Sequence, residues 1–278
     1  MGQTKSNPKY PEDLSPIYTI LSLHMTQKLS NRVVIITGAT SGMGKAIAEA
    51  FAREGASLVL SGRDPERGNA LVESLLPINP NVVFYPGDVA REATNQQLVN
   101  EALKRFGKLD LLSLNAGILG LGSVSEVSTE LWRRTLETNL SAIYFLCKYA
   151  IPELLKNPNG NILINASIAA FKSFPNHPAY CASKAGAVAL MKQMAVEYGP
   201  NLRVNAICPG PVDTPLLHQS AVAFESPKEA IENAREATLL KRLGTPEDIA
   251  RLAVFLASEE SSWITGTTIT IDGGIMNT

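Results

Sequence analysis

The sequence predicts an α/β fold, a doubly wound, seven-stranded parallel sheet with helices on both faces, forming a single domain behind a short extension. Three observations carry this expectation. From Arg32 onward, short apolar runs alternate with longer amphipathic ones. The short runs are built from valine, isoleucine and leucine with little polar alternation, as suits strands buried on both faces. The chain has 278 residues, 45% of them hydrophobic and 18% charged, enough to bury a sizeable core, and no linker, repeat or low-complexity block interrupts it.

The expected strands are 33–37, 57–61, 82–85, 109–114, 161–166, 203–207 and 268–271. Between them fall helices near 43–54, 65–76, 92–106, 129–156, 180–198 and 246–257. Asp64-Pro65-Glu66 and Thr245-Pro246-Glu247 each put a capping side chain ahead of a first-turn proline, which marks a helix start. The stretch 185–196 is apolar nearly all round, with only Lys192 and Gln193 polar. A helix of that kind is expected to pack on a second subunit as well as on its own sheet. A homotetramer, or a dimer, through helices 129–156 and 180–198 is therefore anticipated.

The ends and the composition exclude several classes. Residues 1–28 contain Pro8, Pro11 and Pro16 with few core-forming runs and read as a flexible extension; 29–278 would be the folded domain, with Met25-Thr26-Gln27-Lys28 as its natural start. Met1-Gly2-Gln3-Thr4-Lys5-Ser6 matches an acylation pattern that needs Gly2 and Ser6, a match that chance also produces. No run approaches the ~18 apolar residues of a membrane span, and the start lacks the layout of a secretion signal. A net charge of −1 steers the chain to neither nucleic acid nor anionic lipid. Cys147, Cys181 and Cys208 are odd in number and dispersed, fitting reduced thiols in a cytoplasm. With His24, His177 and His218 equally scattered, no metal site is expected.

Two constellations carry chemistry. Tyr180-Cys181-Ala182-Ser183-Lys184 sets a phenol and an ammonium four residues apart. In a helix that spacing lifts Lys184 roughly 6 Å along the axis while keeping it on the face of Tyr180. An ammonium there should favour the phenolate and draw the tyrosine down towards neutral pH. Ser167, at the end of an apolar run, would add a hydroxyl to the same spot. Upstream, Thr37-Gly38-Ala39-Thr40-Ser41-Gly42-Met43-Gly44 comes after the first strand and opens the first helix. Its glycines permit a tight turn and close approach of backbone to a pyrophosphate, held by N–H groups at the helix start. Each residue also has a plainer reading: a packing tyrosine, a turn serine, a glycine turn for strand–helix packing.

Taken with Asn115-Ala116-Gly117, Asn139, and Pro209-Gly210 after the sixth strand, these motifs resemble the short-chain dehydrogenase/reductase superfamily, over Leu29 to the C-terminus. The resemblance implies a single-domain Rossmann fold and an NAD(P)-dependent oxidoreductase that interconverts a carbonyl and a secondary alcohol. It implies Tyr180 as general acid/base, Ser167 as a second donor to the reacting oxygen, and Lys184 lowering the Tyr180 pKa and holding the nicotinamide ribose. Asn139 resembles the residue that anchors a water linking Lys184 to solvent; its plainer role is to kink a long helix. Gly38, Ser41, Gly42, Met43 and Gly44 are implied to line the pyrophosphate and adenosine ribose. Asp88 and Val89 would meet the adenine, and Asn115, Ala116 and Gly117 would flank the ribose. Pro209, Gly210, Val212 and Thr214 would hold the carboxamide. Relatives that use NAD usually carry an acid at the end of strand two, where this chain has Ser61-Gly62-Arg63. Arg63 suits a 2′-phosphate, so NADP(H) is expected, with NAD(H) the alternative. Asp64 is the counter-argument, although the proline after it favours a helix cap.

The substrate segments, 118–122, 168–177 and a lid over 211–243, contribute Ile118, Leu119, Leu121, Ile168, Phe171, Phe174, Leu216, Leu217, Val222 and Phe224. That content suits a small to medium, mostly apolar substrate more than a free sugar. Three alternatives stay open: a 3-oxoacyl-[acyl-carrier-protein] reductase, an NAD-dependent alcohol or sugar dehydrogenase, and a catalytically silent nucleotide sensor. The first usually carries basic residues at the ends of its interface helices, where this chain reads Pro158-Asn159 and Pro200-Asn201, with Lys156 and Lys172 nearby.

Overall fold

The computed structural model describes residues 27–278. The extension, with its acylation pattern and His24, lies outside them but for its last two residues. The apolar runs form β1 (Val33–Thr37), β2 (Ser57–Gly62), β3 (Val82–Pro86), β4 (Leu111–Leu114), β5 (Gly160–Asn165), β6 (Leu202–Pro209) and β7 (Thr268–Ile271). All pair in parallel, in the order β3-β2-β1-β4-β5-β6-β7. The helices are α1 (Gly42–Arg53), α2 (Pro65–Leu75), α3 (Glu92–Phe106), α4 (Thr129–Leu136), α5 (Ala142–Leu154), α6 (Pro178–Tyr198), α7 (Pro215–Ala221), α8 (Pro227–Ala237) and α9 (Pro246–Ala257).

The strands are apolar on both faces because each face has its own core. Val33 and Ile35 of β1, Leu112 of β4 and Ile162 and Ile164 of β5 turn towards α3, α5 and α6, where Leu98, Leu146 and Met191 meet them. Val34, Ile36, Leu111 and Leu163 turn the other way, onto Ile47 and Phe51 of α1 and Ile249 and Ala253 of α9. Side-chain alternation thus serves two layers at once. Caps set the helix starts. Asp64 Oδ1 accepts from Arg67 N at 3.1 Å, so the acid after strand two caps α2, as its proline implied. Thr245 and Asp248 form a reciprocal capping box at α9.

Three expectations are corrected. Strand four starts at Leu111, not Leu109, because the Asp110 carboxylate takes the Val33 N–H at 2.8 Å in place of a ladder carbonyl. The single helix expected over 129–156 is divided by a π turn at Glu137–Ser141, which turns both Thr138 and Asn139 inward. The span 211–243, expected as a lid loop, is mostly helical, since Pro215 and Pro227 each open a helix, α7 and α8.

Candidate active site

Strand order reverses between β1 and β4, and such a switch opens a crevice beyond the carboxyl ends of the strands. The turn after β1 enters it with Gly38 at φ +64° and Gly42 at φ +50°, values that disfavour a side chain. A Cβ on Gly44 would stand 2.2 Å from Gly38 O, so glycine is required there for helix and turn to touch. Ser41, at the N-cap of α1, makes no side-chain capping bond, which leaves the first-turn amides to an outside acceptor.

The cleft over this turn holds about 290 Å³ and is lined by Gly38, Ser41, Gly42, Met43, Gly44, Arg63, Asp88, Val89, Asn115, Ala116, Gly117 and Thr214, all expected from the sequence. Arg67 also faces it and was not foreseen, being one helical turn beyond the residues that usually speak for cofactor choice. Asp88 is already engaged. Its carboxylate accepts from Ala90 N at 3.1 Å and pairs with Arg134 of α4. Burial pushes the Asp88 carboxyl up, but the Arg134 and Ala90 bonds outweigh it and hold the group below the usual range. Nothing in sequence spacing linked Arg134 to Asp88, 46 residues away.

A second cavity of about 280 Å³ adjoins the first, with Met43, Thr214 and Leu216 lining both. Ser167, Tyr180, Pro209, Gly210 and Val212 line it, together with Leu119, Ile168, Phe174, Leu217 and Phe224 of the expected apolar set. Ile118 faces the dinucleotide cleft instead, and Phe171 and Val222 are exposed (49% and 68%), outside the cavity. Ile231 of α8 and the near-terminal Ile275 complete the wall. No local pattern marked them, because the chain brings them in from separate elements.

Lys184 and Asn139 sit one layer deeper. Lys184 Nζ donates to Asn165 O at 2.7 Å and lies 5.6 Å from the Tyr180 ring centroid. The sequence led us to expect a lowered Tyr180 pKa. Instead burial pushes the phenol up to about 12, with the Ser167 hydroxyl working the other way. Burial likewise brings Lys184 down to about 8. Desolvation is the stronger effect because the ammonium's nearest partner is a backbone carbonyl rather than the phenol oxygen. Asn139 is spent locally: its amide clasps both Ile118 N and Ile118 O at 2.8 Å and donates to Ser183 Oγ at 2.9 Å. A cavity of about 10 Å³ lies between Lys184, Asn139, Thr138 and Asn95, room for one water. Asn95 Oδ1, Thr138 Oγ1 and Asn165 Oδ1 find no protein partner.

A family model described as enoyl-(acyl carrier protein) reductase matches residues 38–276. The chain belongs to the short-chain dehydrogenase/reductase family. Among its relatives is a 3β-hydroxysteroid dehydrogenase of Mediterraneibacter gnavus, 34% identical over 89% of this chain and 95% of that one. A 3-oxoacyl-[acyl-carrier-protein] reductase of Thermotoga maritima is 34% identical over 90% of this chain and 99% of that one. The solved L-sorbose reductase of Gluconobacter frateurii, complexed with NADPH and L-sorbose, superposes with a TM-score of 0.85 at 32% identity, covering 91% of this chain and all of that one. This family binds NAD(P), and its members oxidise and reduce alcohols and carbonyls.

The residues present fit such a dinucleotide: Gly38 and Gly44 of the turn have no space for a Cβ, and the uncapped α1 amides face an outside acceptor. Gly44→Ala is expected to strain this turn by about 1–3 kcal/mol, which is roughly 5- to 150-fold in dinucleotide affinity if all of it is felt on binding. Fluorescence titration with NADPH, alongside a thermal melt, would measure it. Among the described residues no cluster of ligating side chains fits a metal ion, and no helix is long and apolar enough to cross a membrane.

Proposed function

We propose that the protein is an NADP(H)-preferring oxidoreductase of a small to medium, mostly apolar ketone or secondary alcohol. The observation that carries this is the position of Tyr180 and Ser167 on an apolar cavity that shares a wall with the glycine cleft. When bound, the nicotinamide supplies a hydride to the substrate carbon, or takes one from it. Tyr180, protonated at neutral pH, gives its proton to the oxygen as charge grows there. Ser167 donates a second bond to the same oxygen. Lys184 holds the nicotinamide ribose, and the water-sized cavity beside it provides the route by which the proton is refilled. Pro209, Gly210, Val212 and Thr214 orient the carboxamide. Asp88 and Val89 meet the adenine, while Asn115, Ala116 and Gly117 flank the ribose. Asn139 ties the loop after β4 to the start of α6.

NADP is favoured because Arg63 and Arg67 both face the cleft and Asp64, the acid that follows strand two, caps α2. A 2′-phosphate would gain charge-assisted bonds there. Replacing both arginines by alanine should raise KM for NADPH by about tenfold or more while leaving that for NADH nearly unchanged. The decisive experiment monitors absorbance of reduced nicotinamide with a panel of ketones and alcohols and both cofactors. No turnover with any of them would sink the oxidoreductase reading; a preference for NADH would sink only the cofactor choice. Carrier docking is the alternative reading: Lys156 is paired with Glu153, whereas the exposed Lys172 makes no ion pair among the described residues, and a rate advantage for carrier-bound substrate would favour it.

A homotetramer or dimer fits the exposed face of α6, where Ala182, Ala185, Ala189 and Val196 leave small and apolar side chains in solvent. A cytoplasmic setting fits three free cysteines, of which burial pushes Cys147 up to about 12 and Cys208 up to about 11.

A further inference from the structure

Besides Ser167 and Tyr180 at its reacting end and Thr214 on the wall shared with the glycine cleft, the cavity carries one more pair of polar side chains. His177 is 3% exposed, and its ring stands edge-on to the Tyr180 ring with centroids 6.3 Å apart. Its Nδ1 lies 2.6 Å from Pro175 O. A carbonyl can only accept, so Nδ1 of the neutral ring carries the proton and Nε2 is left with a lone pair. Nε2 lies 2.8 Å from Ser220 Oγ on α7, so the serine must be the donor. Ser220 lines the same cavity, and with its proton committed to His177 the hydroxyl presents only lone pairs to a ligand.

We propose that His177 and Ser220 form a specificity site that accepts a hydrogen bond from a second hydroxyl on the substrate. Resting on the oxidoreductase reading, this narrows the substrate to hydroxy-ketones and diols with compact apolar skeletons. Ser220 is the specificity-determining residue, and His177 is a positioning residue that fixes the direction of its proton. A ligand hydroxyl donates to Ser220 Oγ without disturbing the dyad. A ligand carbonyl in that place can only accept, so it would have to draw the serine proton away and strand the buried Nε2. A bare C–H would leave the serine lone pairs dry and unpartnered. The preference expected is therefore hydroxyl over hydrogen and hydroxyl over carbonyl.

The test compares cyclohexanol with the 1,2-, 1,3- and 1,4-cyclohexanediols, and 4-hydroxycyclohexanone with cyclohexanone and 1,4-cyclohexanedione. It uses the full chain with NADP(H). Both turnover and calorimetric binding to the enzyme–dinucleotide complex are read. At least one diol, and the hydroxy-ketone, should exceed the parent compounds by about tenfold in kcat/KM or affinity. Ser220→Ala should erase that ratio, whatever it does to the absolute rate on cyclohexanone or cyclohexanol. Ser220→Thr, which keeps the hydroxyl, should restore it. A ratio near one in the native enzyme, a ratio that survives Ser220→Ala, a preference for the dione, or no binding of any hydroxyl-bearing compound would each overturn the proposal. Preferential binding lost in Ser220→Ala but without turnover would support the dyad and overturn the oxidoreductase reading instead.

Discussion

Replacing Tyr180 by phenylalanine should lower kcat/KM for every accepted carbonyl by about 10²–10⁴-fold, the span that a positioned proton donor contributes. Affinity for NADPH should stay within about twofold, because the ring is kept and only one hydroxyl is lost. The Tyr180 ring packs edge-on to His177 and below Lys184, and phenylalanine preserves both contacts. What disappears is a phenol that burial holds at about 12 and that is therefore almost fully protonated at neutral pH. Ser167 would remain as a donor to the substrate oxygen. Single-turnover absorbance with pre-bound NADPH measures the chemical step directly. Rates near those of the native enzyme would remove Tyr180 from the chemistry.

The second large effect concerns stability. Lys184 is 6% exposed, and burial brings its pKa from 10.5 down to about 8. In the unfolded chain the same group keeps its proton until about 10.4. Between these values the unfolded state binds more protons than the folded one, so this lysine makes stability rise with pH. Integrated across the window, the gain approaches roughly 3 kcal/mol. Tyr180 acts with the opposite sign, since its raised pKa gives the folded state the extra proton, but only from about 10 to about 12. Below pH 8 neither group contributes a slope. Denaturant melts of the apoprotein and of Lys184→Met between pH 7 and 10 would isolate the effect. The difference between the two proteins should swing towards the native chain as pH rises, and a flat difference would show that the ammonium is not desolvated.

Much of the architecture was legible because a buried parallel sheet writes itself as apolar runs spaced by amphipathic ones. All seven strands lie within two residues of their expected limits. The helix expected at 129–156 was misread at its middle for a physical reason. Thr138 and Asn139 are polar residues that turn inward, and an apolar-periodicity argument has no term for a polar pair buried to clasp a neighbouring loop. The lid segment was misread because its helices are short and α8 buries no residue fully. At the site, the glycine turn, Asn115, Ser167 and Tyr180 all sit at the carboxyl edge of the sheet, as local motifs imply. Arg134, Ser220, Ile231 and Ile275 arrive from distant segments, and only folding reveals them. Proton affinities were the least legible. A four-residue spacing brings Lys184 beside Tyr180 but says nothing of the desolvation that dominates both.

The π turn at Glu137–Ser141 has a consequence for anyone who edits this chain. It holds one surplus residue between α4 and α5, and each residue of a helix rotates the rest of the rod by about 100°. Because the widened turn already absorbs the rotation of its extra residue, deleting a single position there would straighten the helix and leave α5 near its present phase, while Thr138 and Asn139 would lose the bulge that turns them inward. Leu146 and Cys147 would stay on the sheet and the half-exposed Tyr144 in solvent, whereas Asn139 would lose the Ile118 backbone and the Ser183 hydroxyl that it now bonds. Shortening by one amino acid should thus harm the loop after β4 more than the packing of α5, and loop grafting from a relative must carry the whole bulge or none of it.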